Sequence, residues 1–167
     1  CGVHGVGKTV FAKKLCQKLL LEYYSASELI RKRTNCEISD YQKVQHLSDN
    51  QELLLEALSE INDSQYVLDC HLCLINTHNK IERISYGTFK AMNIESIYLV
   101  VDAPEKIQDR LKRRDKQIWN LGLIASFQQE EFAYAKYLAE KMHIPLKIIC
   151  DNKEVGECSF LEKENII

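Results

Sequence analysis

No apolar run in the 167-residue sequence approaches the length of a membrane span, which argues against a transmembrane helix. An excess of one charge is missing as well. Twenty-two Lys and Arg face 24 Asp and Glu, for a formal net charge of −2, so nothing suggests whole-domain attraction to nucleic acid or acidic membranes. The seven cysteines are scattered and odd in number. They form no disulfide framework and point to reduced thiols in a cytoplasmic setting. Internal repeats and linkers are absent, no secretory leader is visible, and no arginine follows Arg114. The chain also lacks an initiator Met, and only Cys1 precedes the first motif. What remains, 46% apolar and 28% charged, is the composition of one globular domain able to bury a core.

That first motif is Gly2-Val3-His4-Gly5-Val6-Gly7-Lys8-Thr9, a full match to G-x-x-x-x-G-K-[ST]. Its glycines allow successive backbone N–H groups to turn inward on an anion. Lys8 then supplies a point charge for β- and γ-phosphates, and the Thr9 hydroxyl suits Mg²⁺. The helix that opens there adds the positive end of its dipole. The cofactor-binding set is therefore Gly2, Gly5, Val6, Gly7, Lys8 and Thr9, and the expected cofactors are ATP and Mg²⁺. His4 is expected to point away from the phosphates or toward the base. A loop of this kind normally hangs from a buried strand. With only Cys1 ahead of it, that first strand is expected to lie outside the sequence.

Apolar spacing predicts a helix from Thr9 to about Tyr23, with Phe11, Leu15 and Leu19 on one face. Ser25-Ala26-Ser27-Glu28 reads as a capping box opening a second helix through Arg33. Residues 34–48 read as loop, and Asp49 with Glu52 opens a helix carrying Leu54, Ala57, Leu58 and Ile61. Residues 65–69 and 96–101 read as strands, each ending beside or on a carboxylate (Asp69, Asp102). A helix from Pro104 to Arg114 follows, with Asp102 and Glu105 as its cap pair. A long helix over 124–142 stops before Pro145, residues 146–150 form a last strand, and the polar tail 151–167 is peripheral. Strands alternating with helices predict a single three-layer α/β domain, P-loop NTPase-like, with a mainly parallel sheet.

Ligands of such sheets lie beyond the carboxyl ends of the strands. Asp69 is thus the better metal candidate, together with Thr9, while Asp102 reads as a helix cap or a second metal-side carboxylate. Arg110, Arg113 and Arg114 share a helix side. They form either a solvated basic face with Lys106 and Lys112 or a clamp for phosphoryl oxygens. The run Cys70-His71-Leu72-Cys73 offers thiolate and imidazole ligands for zinc, but no second ligand pair stands at suitable spacing, so packing is the preferred role.

The loop, the Ser25-to-Arg31 segment, the strand into Asp69 and the Arg110/Arg114 pair follow one another in the order seen in nucleoside monophosphate kinases. Over residues 2–150 the chain resembles adenylate kinase-like P-loop proteins of the short-lid type. The resemblance implies an acceptor-binding arm at 25–48, with Ser27 and Arg31 on the acceptor phosphate. It implies a short lid at 114–124, and an Asp-x-His motif in Asp69-Cys70-His71 that brings His71 to the acceptor. Lys8, Arg110 and Arg114 would be the catalytic cations. The departures are Cys73, where many such kinases carry arginine, and Gln128 to Glu131, where a further lid-side arginine is expected. The implied activity is ATP- and Mg²⁺-dependent phosphoryl transfer to a nucleoside monophosphate. A nucleotide-gated ATPase working with a protein or RNA partner, and a kinase for another small acceptor, stand beside it.

Overall fold

The computed structural model describes residues 1–34, 47–76, 80–115, 119–151 and 153–155. Most of the expected loop at 34–48, part of the expected lid (116–118) and most of the tail lie outside the described residues. The chain divides into two compact units, 9–94 and a second made of 1–8 with 95–167.

In the 9–94 unit, α1 (Lys8–Leu19) buries Ala12 and Cys16, whereas Leu19 is exposed. The helix stops four residues before the sequence suggests. Leu20 turns into the left-handed region at φ 57°, and the Leu21 N–H donates to the Cys16 carbonyl at 3.1 Å. Residues 22–25 then form β1 (Glu22–Ser25), followed directly by α2 (Ala26–Thr34). After it, α3 (Leu47–Ser59) lays Leu54 and Leu58 against Ala26, Leu29 and Ile30. Helical spacing of apolar residues places both faces in one small core.

β2 (Tyr66–Asp69) pairs with β1 in parallel, Glu22 opposite Tyr66 and Ser25 opposite Asp69. Tyr23 and Tyr24 suit a strand, but only this distant partner reveals it as one. β3 (Cys73–Ile75) and β4 (Ile81–Arg83) make an antiparallel pair. Ser85 caps the short α4 (Tyr86–Ala91), its Oγ accepting from the Thr88 N–H. None of these last three elements carries enough periodicity to be read from sequence.

In the other unit, β5 (Ile97–Val101) is buried along nearly its whole length. Cys1 N donates to the Tyr98 carbonyl at 2.7 Å, and Val100 N–H donates to the Cys1 carbonyl at 2.9 Å. These are the two bonds of parallel pairing about Leu99, so the residues leading into the glycine loop run alongside β5. α5 (Pro104–Asp115) buries Ile107 and Leu111, one turn apart.

α6 (Leu121–Met142) begins three residues before the expected start because Asn120 caps it, accepting from the Leu123 N–H. It ends at His143, which takes φ 56°, and the Ile144 N–H donates to the Ala139 carbonyl. A left-handed C-cap, rather than Pro145, breaks the helix. β6 (Leu146–Cys150) lies parallel to β5, as the sequence suggests. β7 (Lys153–Val155) then folds back antiparallel on β6, so the start of the tail extends the sheet. The longer pairings are parallel and the short ones antiparallel, an α/β arrangement. Among the described residues no helix is long and apolar enough to cross a membrane.

Candidate functional site

Val3 and Val6 are buried beneath the loop at residues 2–8, while Gly7 is exposed. Gly5 takes φ +74°, and a Cβ there would stand 2.7 Å from Leu111 Cγ, so α5 approaches too closely for any side chain. Gly7 takes φ +102° with no heavy atom within 4 Å of the position a Cβ would occupy. One glycine thus serves packing and the other leaves an open backbone surface, the cradle that a phosphate chain needs. Lys8 follows as the first residue of α1. The His4 ring lies 6.2 Å from those of Trp119 and Phe127, so it turns to an aromatic cluster.

Arg110 holds this loop. Its Nη1 donates to the Gly5 carbonyl at 3.2 Å and to the Val6 carbonyl at 3.0 Å, and its Nη2 donates to Asp102 Oδ2. Asp102 Oδ1 accepts the Ala103 N–H at 2.8 Å and lies 3.4 Å from Lys106 Nζ. Burial pushes the Asp102 carboxyl up, but the Arg110 hydrogen bond, the Ala103 amide and the two cations outweigh it and hold the pKa below its ordinary value. Asp102 is therefore not a simple helix cap; half of its carboxylate belongs to Arg110. Gln128 seals the other side, with its Oε1 accepting the Asp102 N–H at 3.1 Å and its Nε2 donating to the Asp102 carbonyl at 2.9 Å. Gln128 opens the stretch Gln128 to Glu131, where the resemblance leads one to expect a lid-side arginine. Its burial at 2% exposure and its two backbone bonds give it a different role.

Arg114 donates through Nε and Nη2 to Asp115, its neighbour in the chain. Arg113 is exposed.

In the 9–94 unit, Thr9 Oγ donates to Asp69 Oδ2 at 2.6 Å, and the Tyr23 hydroxyl donates to the same oxygen at 3.1 Å. Burial, then the Asp69 charge, pushes the Tyr23 pKa up to about 12, so the phenol remains a donor at neutral pH. A hydroxyl and a buried carboxylate side by side are hard oxygen donors that fit Mg²⁺. Tyr23 was missed because periodicity assigned it to a helix; two adjacent β-favouring tyrosines, without alternation, do not mark a strand by themselves.

Ser27 and Arg31 lie one turn apart on the exposed side of α2. His71 is half-buried just past β2, with Cys73 fully buried in β3. Among the described residues no cluster of three His, Cys, Asp or Glu side chains is arranged to hold a metal ion.

An AAA domain family model matches residues 1–118. No curated protein matches the chain. Among solved structures, a gluconokinase from Sinorhizobium meliloti 1021 is 10% identical, covering 88% of this chain and 78% of its own, with a TM-score of 0.48. The matched span contains the phosphate loop, β5 and all of α5, and by it the chain belongs to the AAA domain family of P-loop proteins, with a P-loop NTPase-like α/β fold.

Proposed function

We propose that the protein is an ATP- and Mg²⁺-dependent phosphotransferase, adenylate kinase-like, whose acceptor is a nucleoside monophosphate. The observation that carries this reading is the loop at residues 2–8, with Gly5 packed tightly against Leu111 and Gly7 open at positive φ. An anion binds such a backbone through its N–H groups and through the amino end of α1. Lys8 adds a point charge for the β- and γ-phosphates. Thr9 and Asp69 are the residues that would hold Mg²⁺, which when bound neutralises phosphate charge.

Ser27 and Arg31 are suited to the acceptor phosphate, Arg31 through a planar fork that matches phosphate oxygens, and His71, two residues past the end of β2, is a third candidate for the acceptor. Arg110 sets a permanent positive charge 3.0 Å from the Val6 carbonyl, and Arg114 follows one turn along α5. Charge that builds on the transferring group would be stabilised by Arg114 directly and by the Arg110 charge only through the loop that it holds. The acceptor oxygen is already anionic, so the reaction needs no dedicated base. The protein would work in the cytoplasm, on small phosphates.

A coupled assay with each common nucleoside monophosphate tests this. ADP formation from ATP should require one monophosphate, vanish in Lys8→Ala, and show a raised acceptor KM with unchanged ATP KM in Arg31→Ala. ADP formation that ignores every monophosphate would assign the protein to nucleotide-gated ATPases acting on a protein or RNA partner instead. Full acceptor affinity in Arg31→Ala would point to a different small acceptor.

A further inference from the structure

The two carbonyls gripped by Arg110 belong to peptide units whose N–H groups are those of Val6 and Gly7. In a trans peptide the C=O and N–H point in opposite directions across the C–N bond. The Val6 N–H is turned back on the Val3 carbonyl at 3.4 Å. The Gly7 N–H lies opposite the Val6 carbonyl that Arg110 holds at 3.0 Å, and therefore points away from α5, where Gly7 is exposed.

We propose that Arg110 is a positioning residue, held by Asp102, which turns the Gly5 and Val6 carbonyls toward α5 so that the Gly7 amide faces the bound phosphates. The use of this amide rests on the phosphate-loop reading above; the orientation of the loop does not.

The chain of contacts is continuous. Gln128, 2% exposed, fixes the backbone of Asp102 on both its N–H and its C=O. Asp102, 4% exposed, takes the Arg110 Nη2 on one oxygen and the Ala103 amide on the other. Arg110 spends its remaining terminal nitrogen on the loop. Three acceptors lying in two directions require a planar fork. A lysine ammonium at this place carries the same charge without that geometry. Arg110 here acts through the loop backbone, from the carbonyl side of the cradle, rather than by gripping phosphoryl oxygens itself.

The test combines amide NMR of the nucleotide-free protein with calorimetric binding of ADP and of Mg·ATP. The variants are Arg110→Lys, Asp102→Asn and their double. Leu138→Ala, fully buried on α6, serves as a control for lost stability. Without nucleotide, Asp102→Asn and Arg110→Lys should both shift the Val6 and Gly7 amide resonances, and Leu138→Ala should not. Each single variant should weaken ADP and ATP by the same factor, about tenfold, the scale of one charge-assisted hydrogen bond. The double variant should be no weaker than the worse single one.

Unshifted Val6 and Gly7 amides in Asp102→Asn would overturn the proposal. So would an Arg110→Lys variant that loses ATP and keeps ADP, because that pattern marks direct contact with the γ-phosphate. An equal loss of affinity in Leu138→Ala would reduce the brace to general stability and overturn it too. If the wild type binds neither nucleotide while the amide shifts occur, the phosphate-loop reading fails and the orienting role of Arg110 stands.

Discussion

Gly5 and Gly7 carry the same residue type for different physical reasons, and replacing each with alanine separates them. At Gly5 the backbone sits at φ +74°, which costs an L-residue about 1–2 kcal/mol. The new methyl would also stand 2.7 Å from Leu111 Cγ and 2.8 Å from its Cδ2. Leu111 is 1% exposed and has nowhere to retreat, so overpacking adds about 1–3 kcal/mol. Gly5→Ala should therefore lose about 2–5 kcal/mol, a large share of an ordinary domain's stability. At Gly7 no atom lies within 4 Å of the new methyl, so only the conformational cost of about 1–2 kcal/mol applies. That methyl would occupy the open side of the loop, and ATP affinity should fall by about tenfold or more. Urea unfolding of both variants, with calorimetric titration of Mg·ATP, reads the two effects apart. The decisive measurement is the pair Gly5→Ala and Leu111→Ala. Leu111→Ala alone should cost about 2–5 kcal/mol, and the double variant should be more stable than the sum of the singles by about 1–3 kcal/mol. Additivity to within about 0.5 kcal/mol would refute the clash, and a Gly7→Ala variant that unfolds as readily as Gly5→Ala would refute the division of labour.

Gln128→Ala should cost about 2–6 kcal/mol in urea unfolding, because it strands the buried N–H and C=O of Asp102 at about 1–3 kcal/mol each, whereas Ser126→Ala on the exposed side of α6 should stay within about 0.5 kcal/mol. The Asp102 carboxyl has a lower pKa folded than unfolded, so its contribution is present above its ordinary value and lost as pH falls through the folded value. Urea midpoints should accordingly drop as pH is taken below about 4, and Asp102→Asn should remove part of that slope; an unchanged slope in this variant would contradict the assignment. Tyr23→Phe removes one of the two hydroxyl donors to Asp69 and should cost about 0.5–1.5 kcal/mol, measured the same way, with a neutral or stabilising result counting against the hydrogen bond.

The phosphate loop was legible without any structure, because its chemistry depends on consecutive residues: glycines where the backbone must be bare, then an amine, then a hydroxyl. The strands at residues 66–69, 97–101 and 146–150 and the helices α1, α2, α3, α5 and α6 were legible from local apolar runs, apolar spacing and cap residues. β1 was not. The α1 pattern extends to about Tyr23 when read from sequence, and only pairing with residues 66–69, more than forty positions away, decides for a strand. The partners of Asp102 were hidden in the same way. Its position before Pro104 states a helix start in local terms, while Arg110 two turns along α5 and Gln128 on α6 come to it only once the chain is packed. Periodicity and turn chemistry are properties of neighbours in sequence. Which carboxylate meets which guanidinium, and which side of a peptide is held and which left open, depends on neighbours in space, and burial is what makes those pairings obligatory.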